Sequence, residues 1–181
     1  MDQEIVVKAV CGAAEEVFAT MLGLGMSSGE AYIEENAGAD QPSAGGGVVA
    51  LIGMAGGSWV GTGMLTCTPE FACKAAAIML LAEYHAVDNE VLDAIAEISN
   101  MIFGNVKTVL EEHLGPLGLS IPTVIFGKNF STRSVGQQMW TVVPLEVGDE
   151  RMQVRIFLAP QQGRTAPARH GFSRPYAVQC D

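Results

Sequence analysis

Asp93, Glu97 and Asn100 stand in the stretch DAIAEISN at helical spacing. At about 100° per residue the three would share an arc of about 60° on a helix. Gly104, Lys107 and Glu111 continue the same stripe. No Ser, Cys or His shares it, so covalent nucleophilic catalysis is not indicated. Two carboxylates without a third ligand make a poor metal site, and no metal is assigned to this chain. A carboxamide can position a water, because it donates and accepts hydrogen bonds at once. A carboxylate can pair with a lysine on another protein. Hydrolysis at phosphorus asks for little more, since its loose transition state rewards geometry and charge placement. Such a pair can therefore complete an active site whose other half a partner supplies. Asp93 and Glu97 alone would be ordinary solvated residues. Asn100 and Gly104 are poor helix formers, each costing roughly 0.5–1 kcal/mol against alanine. A gap at Gly104 beside Asn100 would let a partner's backbone approach, which points to docking.

Such a face has to be held from behind. Val91, Ile95, Ile98, Ile102, Val106 and Val109 recur on the opposite side of the segment and form its expected core face. Asp88 or Asn89 caps the start, and Leu114-Gly115-Pro116 stops the helix near His113. The helix should span about 25 residues, or ~37 Å. Residues 3–22 predict a first amphipathic helix through Ile5, Val6, Ala9, Val10, Ala13, Val17, Phe18 and Met21, ended by Gly23 and Gly25. Thr68-Pro69-Glu70 opens another helix, running to about Glu83.

Strands are expected at Glu30–Glu35, Val48–Met54, Ser58–Thr66, Ile121–Phe126, Gln138–Leu145 and Met152–Leu158. Gly56-Gly57 suits the positive φ angles of a tight hairpin, and Val147-Gly148-Asp149-Glu150 forms a second turn. Gly61 and Gly63 suggest a bulge or a close backbone approach. The fold class is thus α/β of the α+β type, a mainly antiparallel sheet of about six strands with long helices packed on one face. An exposed edge strand would permit a continuous sheet across a dimer. Residues 1–160 make one domain, with a flexible loop at 36–47 (NAGADQPSAGGG) and a mobile tail at 161–181.

Composition narrows the function classes. The chain of 181 residues is 49% hydrophobic, enough for a full core. Its apolar runs, such as Ala75 to Ala82, are too short for a membrane span. The start, MDQEIVVKAV, lacks the basic region of a signal peptide. Cys11, Cys67, Cys73 and Cys180 show no paired-ligand spacing and read as reduced thiols in a cytoplasmic protein. His85 stands alone and reads as structural. The net charge of −10 is concentrated in residues 1–160, because 161–181 sets Arg164, Arg169 and Arg174 against Asp181. Such a body repels nucleic acid and anionic lipid.

The order Asp, three residues, Glu, two residues, Asn, twenty-one residues, Pro resembles the pattern of the CheC, CheX and FliY phosphatases of bacterial chemotaxis. Here it is Asp93, Glu97, Asn100 and Pro122. FATMLG in the first helix, the glycine hairpin and Gly104 are similar to CheX, and the likeness covers roughly residues 1–160. CheC-type proteins carry two such helices. In the first helix here, Glu15 and Glu16 are followed by Phe18 and Ala19, where the asparagine would be, so a single site resembles CheX, a homodimer. The resemblance implies a phosphorylated CheY-type receiver domain as substrate. Asn100 would orient the attacking water against the phosphoaspartate, and Glu97 would pair with the receiver's lysine. The Mg²⁺ would belong to the receiver, and Asp93 and Pro122 would support the docking face. Two rivals are a non-catalytic receiver-binding module, of sensor or flagellar-switch type, and a structural domain with a solvated helix face.

Overall fold

A computed structural model describes residues 1–35, 47–127 and 138–161. Helix α1 (Gln3–Val17) opens on Asp2, whose carboxylate accepts from the Glu4 N–H, and runs on into a π-helical turn at Phe18–Leu22. Gly23, at φ 62°, ends it in the left-handed region. Strands β1 (Ser27–Ser28), β2 (Tyr32–Glu35), β3 (Gly47–Gly56) and β4 (Trp59–Cys67) follow. Helix α2 (Pro69–Leu80) has Thr68 as its cap, the hydroxyl accepting from Phe71 N–H and donating to Glu150. Asp88 caps α3 (Asn89–Leu114), accepting from Val91 N–H. Strands β5 (Leu117–Leu119), β6 (Thr123–Gly127), β7 (Met139–Val147) and β8 (Glu150–Pro160) complete the described chain.

All described strand pairs are antiparallel, in the order β1-β7-β8-β4-β3-β5, with β2 also on β7 and β6 also on β3. The three helices cover one face, burying Val48, Ala50, Ile52, Leu65, Val143, Leu145, Val154 and Ile156. Alternate residues face the other way, where Val49, Met64, Trp140 and Val142 form a second buried cluster. Trp140 lies opposite Phe157, ring centroids 5.8 Å apart. The central strands are thus apolar on both faces, which is why they read as hydrophobic runs.

The expected α+β class, antiparallel sheet and one-sided helices are all present, but the sheet has eight described strands rather than about six. The two additional strands are β1 and β5, of two and three residues, too short to give a period. They continue β2 and β6 along the two sheet edges, each interrupted by one extra residue. Ser120 to Pro122 oppose Ile52 and Gly53 at one edge, and Gly29 to Ala31 oppose Val143 and Pro144 at the other. Ile121 therefore lies in a bulge and not in the strand, which begins at Thr123. Helix α2 stops at Leu80, because Leu81 takes φ 53°. Val109 is 39% exposed, so it leaves the expected core face. The 36–47 loop, apart from Gly47, and the 161–181 tail, apart from Gln161, lie outside the described residues, as does Cys180. Cys11, Cys67 and Cys73 are free thiols, and burial pushes the Cys67 thiol up to about 12.

The glycines behave partly as expected. Neither Gly56 nor Gly57 has a positive φ; a Cβ on Gly56 would instead fall 2.4 Å from the Pro116 carbonyl oxygen. Register runs unbroken through Gly61 and Gly63, so neither is a bulge. Both mark close approaches. A Cβ on Gly63 would lie 2.4 Å from Cε1 of the buried Phe103 ring on α3. Gly63→Ala should therefore push α3 away from the sheet and lower unfolding stability by about 1–3 kcal/mol. Urea denaturation of wild type and variant measures this, and an unchanged midpoint would show that α3 tolerates displacement.

Candidate functional site

Helix α3 buries Val91, Ala94, Ile95, Ile98, Ser99, Ile102, Phe103, Val106 and Leu110 against the sheet and the flanking helices. Ser99, fully buried, returns its hydroxyl to the Ile95 carbonyl oxygen at 2.7 Å and so leaves no unpaired donor in the core. Asp93, Glu97 and Asn100 are exposed on the remaining face. Among the described residues, none of these three side chains makes a hydrogen bond or ion pair. Their polar groups are available to another molecule.

The surroundings divide this stripe into a free part and a structural part. Asp93 shares a shallow depression of about 440 Å³ with Pro122, lined also by Asn89, Leu92, Ala96 and Val124. The proline twenty-two positions beyond the asparagine is thus brought beside the first acid of the motif. Glu97 and Asn100 continue from there along the helix. Gly104 follows, and a Cβ added there meets nothing within 4 Å. Nothing among the described residues requires glycine at that position. Lys107 and Glu111 are committed elsewhere: Lys107 Nζ donates to Glu111 Oε2 at 2.9 Å, and Leu117 N–H donates to Glu111 Oε1 at 2.8 Å. The Lys107 ammonium first, then the Leu117 amide, hold the Glu111 carboxyl below the usual carboxylate range. Near the helix start, the Tyr84 hydroxyl donates to Glu90, which pushes the Tyr84 phenol up to about 12.

The first helix has no equivalent free pair. Asn105 Nδ2 of α3 donates to Glu16 Oε2 at 3.1 Å, and Phe18 is buried edge-on against Phe71. Sequence reasoning missed the bulge at Ser120–Pro122 that borders the depression. Its one signal was a proline at the start of an edge strand, where the missing N–H interrupts a ladder.

Comparison with known proteins follows the same line. The family described as chemotaxis phosphatase CheX matches residues 48–146. A search of curated protein sequences found no match. Among solved structures, CheX from Desulfovibrio desulfuricans is 24% identical, with TM-score 0.74, over 85% of this chain and 99% of that one. A CheC-like superfamily protein from Shewanella sp. PV-4 is 22% identical, with TM-score 0.73, over 88% and 99%. A chain of the CheX–CheY–BeF3–Mg²⁺ complex from Borrelia burgdorferi is 23% identical, with TM-score 0.64, over 84% and 96%. These likenesses establish a shared fold.

Two outcomes test the division of the stripe. Gly104→Ala should raise the stability of the isolated protein by up to about 1 kcal/mol, since the methyl meets open space and the helix gains propensity. A fall in the urea midpoint would mean that Gly104 has a packing role. Glu111→Gln should lower the midpoint at pH 7. Because its pKa is depressed in the folded state, the Glu111 contribution is full above the ordinary carboxylate pKa and is lost as pH falls through the folded value. The gap between wild type and Glu111→Gln should accordingly close below about pH 4.5, and a gap independent of pH would overturn this assignment.

Proposed function

The chain belongs to the CheX family of chemotaxis phosphatases, and on that premise we propose that it hydrolyses the phosphoaspartate of a CheY-type receiver domain through the Glu97–Asn100 face of α3. The observation that carries this reading is a pair of exposed, unengaged side chains one turn apart, on a helix whose other side is fully packed. A CheX–CheY complex with BeF3 and Mg²⁺ among proteins of the same fold supports a receiver as the partner.

In this mechanism Asn100 enters the receiver's active site. Its amide donates to and accepts from one water, holding the oxygen in line with the phosphorus. Attack forms the new P–O bond, the bond to the aspartyl oxygen breaks, and inorganic phosphate and a free carboxylate leave. Glu97 pairs with the receiver's lysine and fixes the register; a charge-assisted contact of that kind is stronger than a neutral one. Asp93 and Pro122 shape the flank of the docking face, and Gly104 leaves room for the partner's backbone. The Mg²⁺ is the receiver's, so this chain contributes no cofactor of its own. The edge strands of the described sheet suit a homodimer, and a cytoplasmic location follows from the partner. No described helix is long and apolar enough to cross a membrane.

Phosphate decay on a CheY-type receiver from the same organism tests the reading. Wild type should accelerate it, and Asn100→Ala should remove roughly 10²-fold or more of that acceleration while leaving binding nearly intact. Glu97→Ala should mainly raise the receiver concentration needed for half-maximal rate, by about tenfold. If wild type binds the phosphorylated receiver without changing its decay, the protein is a docking module and not a phosphatase.

A further inference from the structure

Ile121 is 87% exposed, although it sits between two strands of the same sheet edge. The bulge that places it there is built, not slack. Ser120 N–H donates to the Gly53 carbonyl oxygen at 2.9 Å, and Gly53 N–H donates to Ser120 Oγ at 2.9 Å. The same hydroxyl donates to the Ile121 carbonyl oxygen at 2.9 Å. Pro122 follows, its φ fixed by its ring and its missing N–H costing nothing at an edge. Backbone on both sides of Ile121 is thus held, and the side chain it carries is a large aliphatic one in water.

Holding an apolar side chain in solvent gains nothing for the folded monomer. A preordered one loses little freedom when a partner covers it, which is what gives an interface anchor its leverage. Position identifies the partner. Pro122, the next residue, lines the depression that also contains Asp93, so Ile121 stands one residue from the flank of the acidic end of the α3 face. An interface with apolar ground beside a charged pair has the usual composition of a binding patch.

We infer that Ile121 is a preordered apolar anchor that docks against the surface of the receiver domain beside its phosphorylation site, and so sets affinity and partner choice. This rests on the receiver-docking reading above. Ile121 touches no reacting atom; it is a positioning and specificity residue. Covering an isoleucine on binding is worth roughly ten- to a hundredfold in affinity.

The experiment titrates phosphorylated CheY-type receiver against fixed amounts of wild type, Ile121→Ser, Ile121→Leu and Asn100→Ala, following phosphate decay, with sedimentation and thermal melts of each variant. Ile121→Ser should raise the half-saturating receiver concentration about tenfold, with the saturated rate and the melt unchanged, and Ile121→Leu should restore most of the affinity. An unchanged half-saturation for Ile121→Ser, with Asn100→Ala inactive, overturns the anchor and leaves the phosphatase reading standing. A changed sedimentation at unchanged half-saturation also overturns it, assigning Ile121 to contact between copies of this chain. A wild type without effect on any receiver removes both.

Discussion

The contact between Phe103 and the bare backbone of Gly63 sets how deeply and at what rotation α3 lies on the sheet. A ring that would come within 2.4 Å of a Cβ leaves no room for the helix to sink or roll. Rolling by one residue, about 100°, would put Ala94, Glu97 and Met101, or Ala96, Ser99 and Phe103, in the places of Ile95, Ile98 and Ile102, all fully buried. Each of those side chains is worth about 1.5–3 kcal/mol when buried. The outward aim of Glu97 and Asn100 is therefore enforced by packing on the far side of the helix. The proposed docking face itself contributes nothing to holding its own direction. The Glu111 clamp to Leu117 acts in the same sense, tying the end of α3 to the strand that leads into the Ser120–Pro122 bulge.

Charge adds range to this placement. The chain carries −10, and several of its cations are already engaged with carboxylates of the same protein, Lys8 with Glu4 and Lys107 with Glu111 among them. What remains near the start of α3 is acidic, with Glu90, Asp93 and Glu97 in succession. A partner that meets this surface has to bring a cation, and a cation at the bottom of a receiver's active site would be reached by a carboxylate on a protruding helix face. At physiological ionic strength such fields extend about 8 Å, so they guide the last approach and do little at longer range.

Much of this was legible from residue order alone. Helix α3 and most of its buried stripe followed from the 3.6-residue period, because that period directly reports which side is packed; local capping residues gave its stop near Gly115 and narrowed its cap to Asp88 or Asn89, of which Asp88 is the one used. The helix start at Thr68-Pro69 was legible for a similar reason: capping is a local event written in three residues. The bulges were not legible. A bulge is a count of two residues against three across partner strands, and neither strand contains that count. Ile121 looked like the first residue of a strand because it is β-branched and leads into Thr123 to Phe126, a run rich in β-branched and aromatic residues. Val109 kept the helical period yet stands exposed beside the groove between α1 and α3, since period gives a direction but not how far a neighbouring helix extends. At Gly56-Gly57 the glycine pair was read as turn chemistry, whereas Gly56 is required by the carbonyl of Pro116, a residue sixty positions away.

The chain contains its own control for the Glu/Asn pair. Glu16 and Asn105 are the same two residue types, also solvent-accessible, but one stands on α1 and the other on α3. Because they face each other across two helices, they bond to each other at 3.1 Å and hold the helices together. Glu97 and Asn100 lie on one helix, three residues apart, and are bonded to nothing among the described residues. Residue type therefore does not separate the bonded pair from the unengaged one here; geometry does, by deciding whether the carboxylate and the amide can satisfy one another. A water-positioning amide must keep both its donor and its acceptor unspent until the partner arrives. The arrangement on α3 meets that condition, and the arrangement across α1 and α3 cannot.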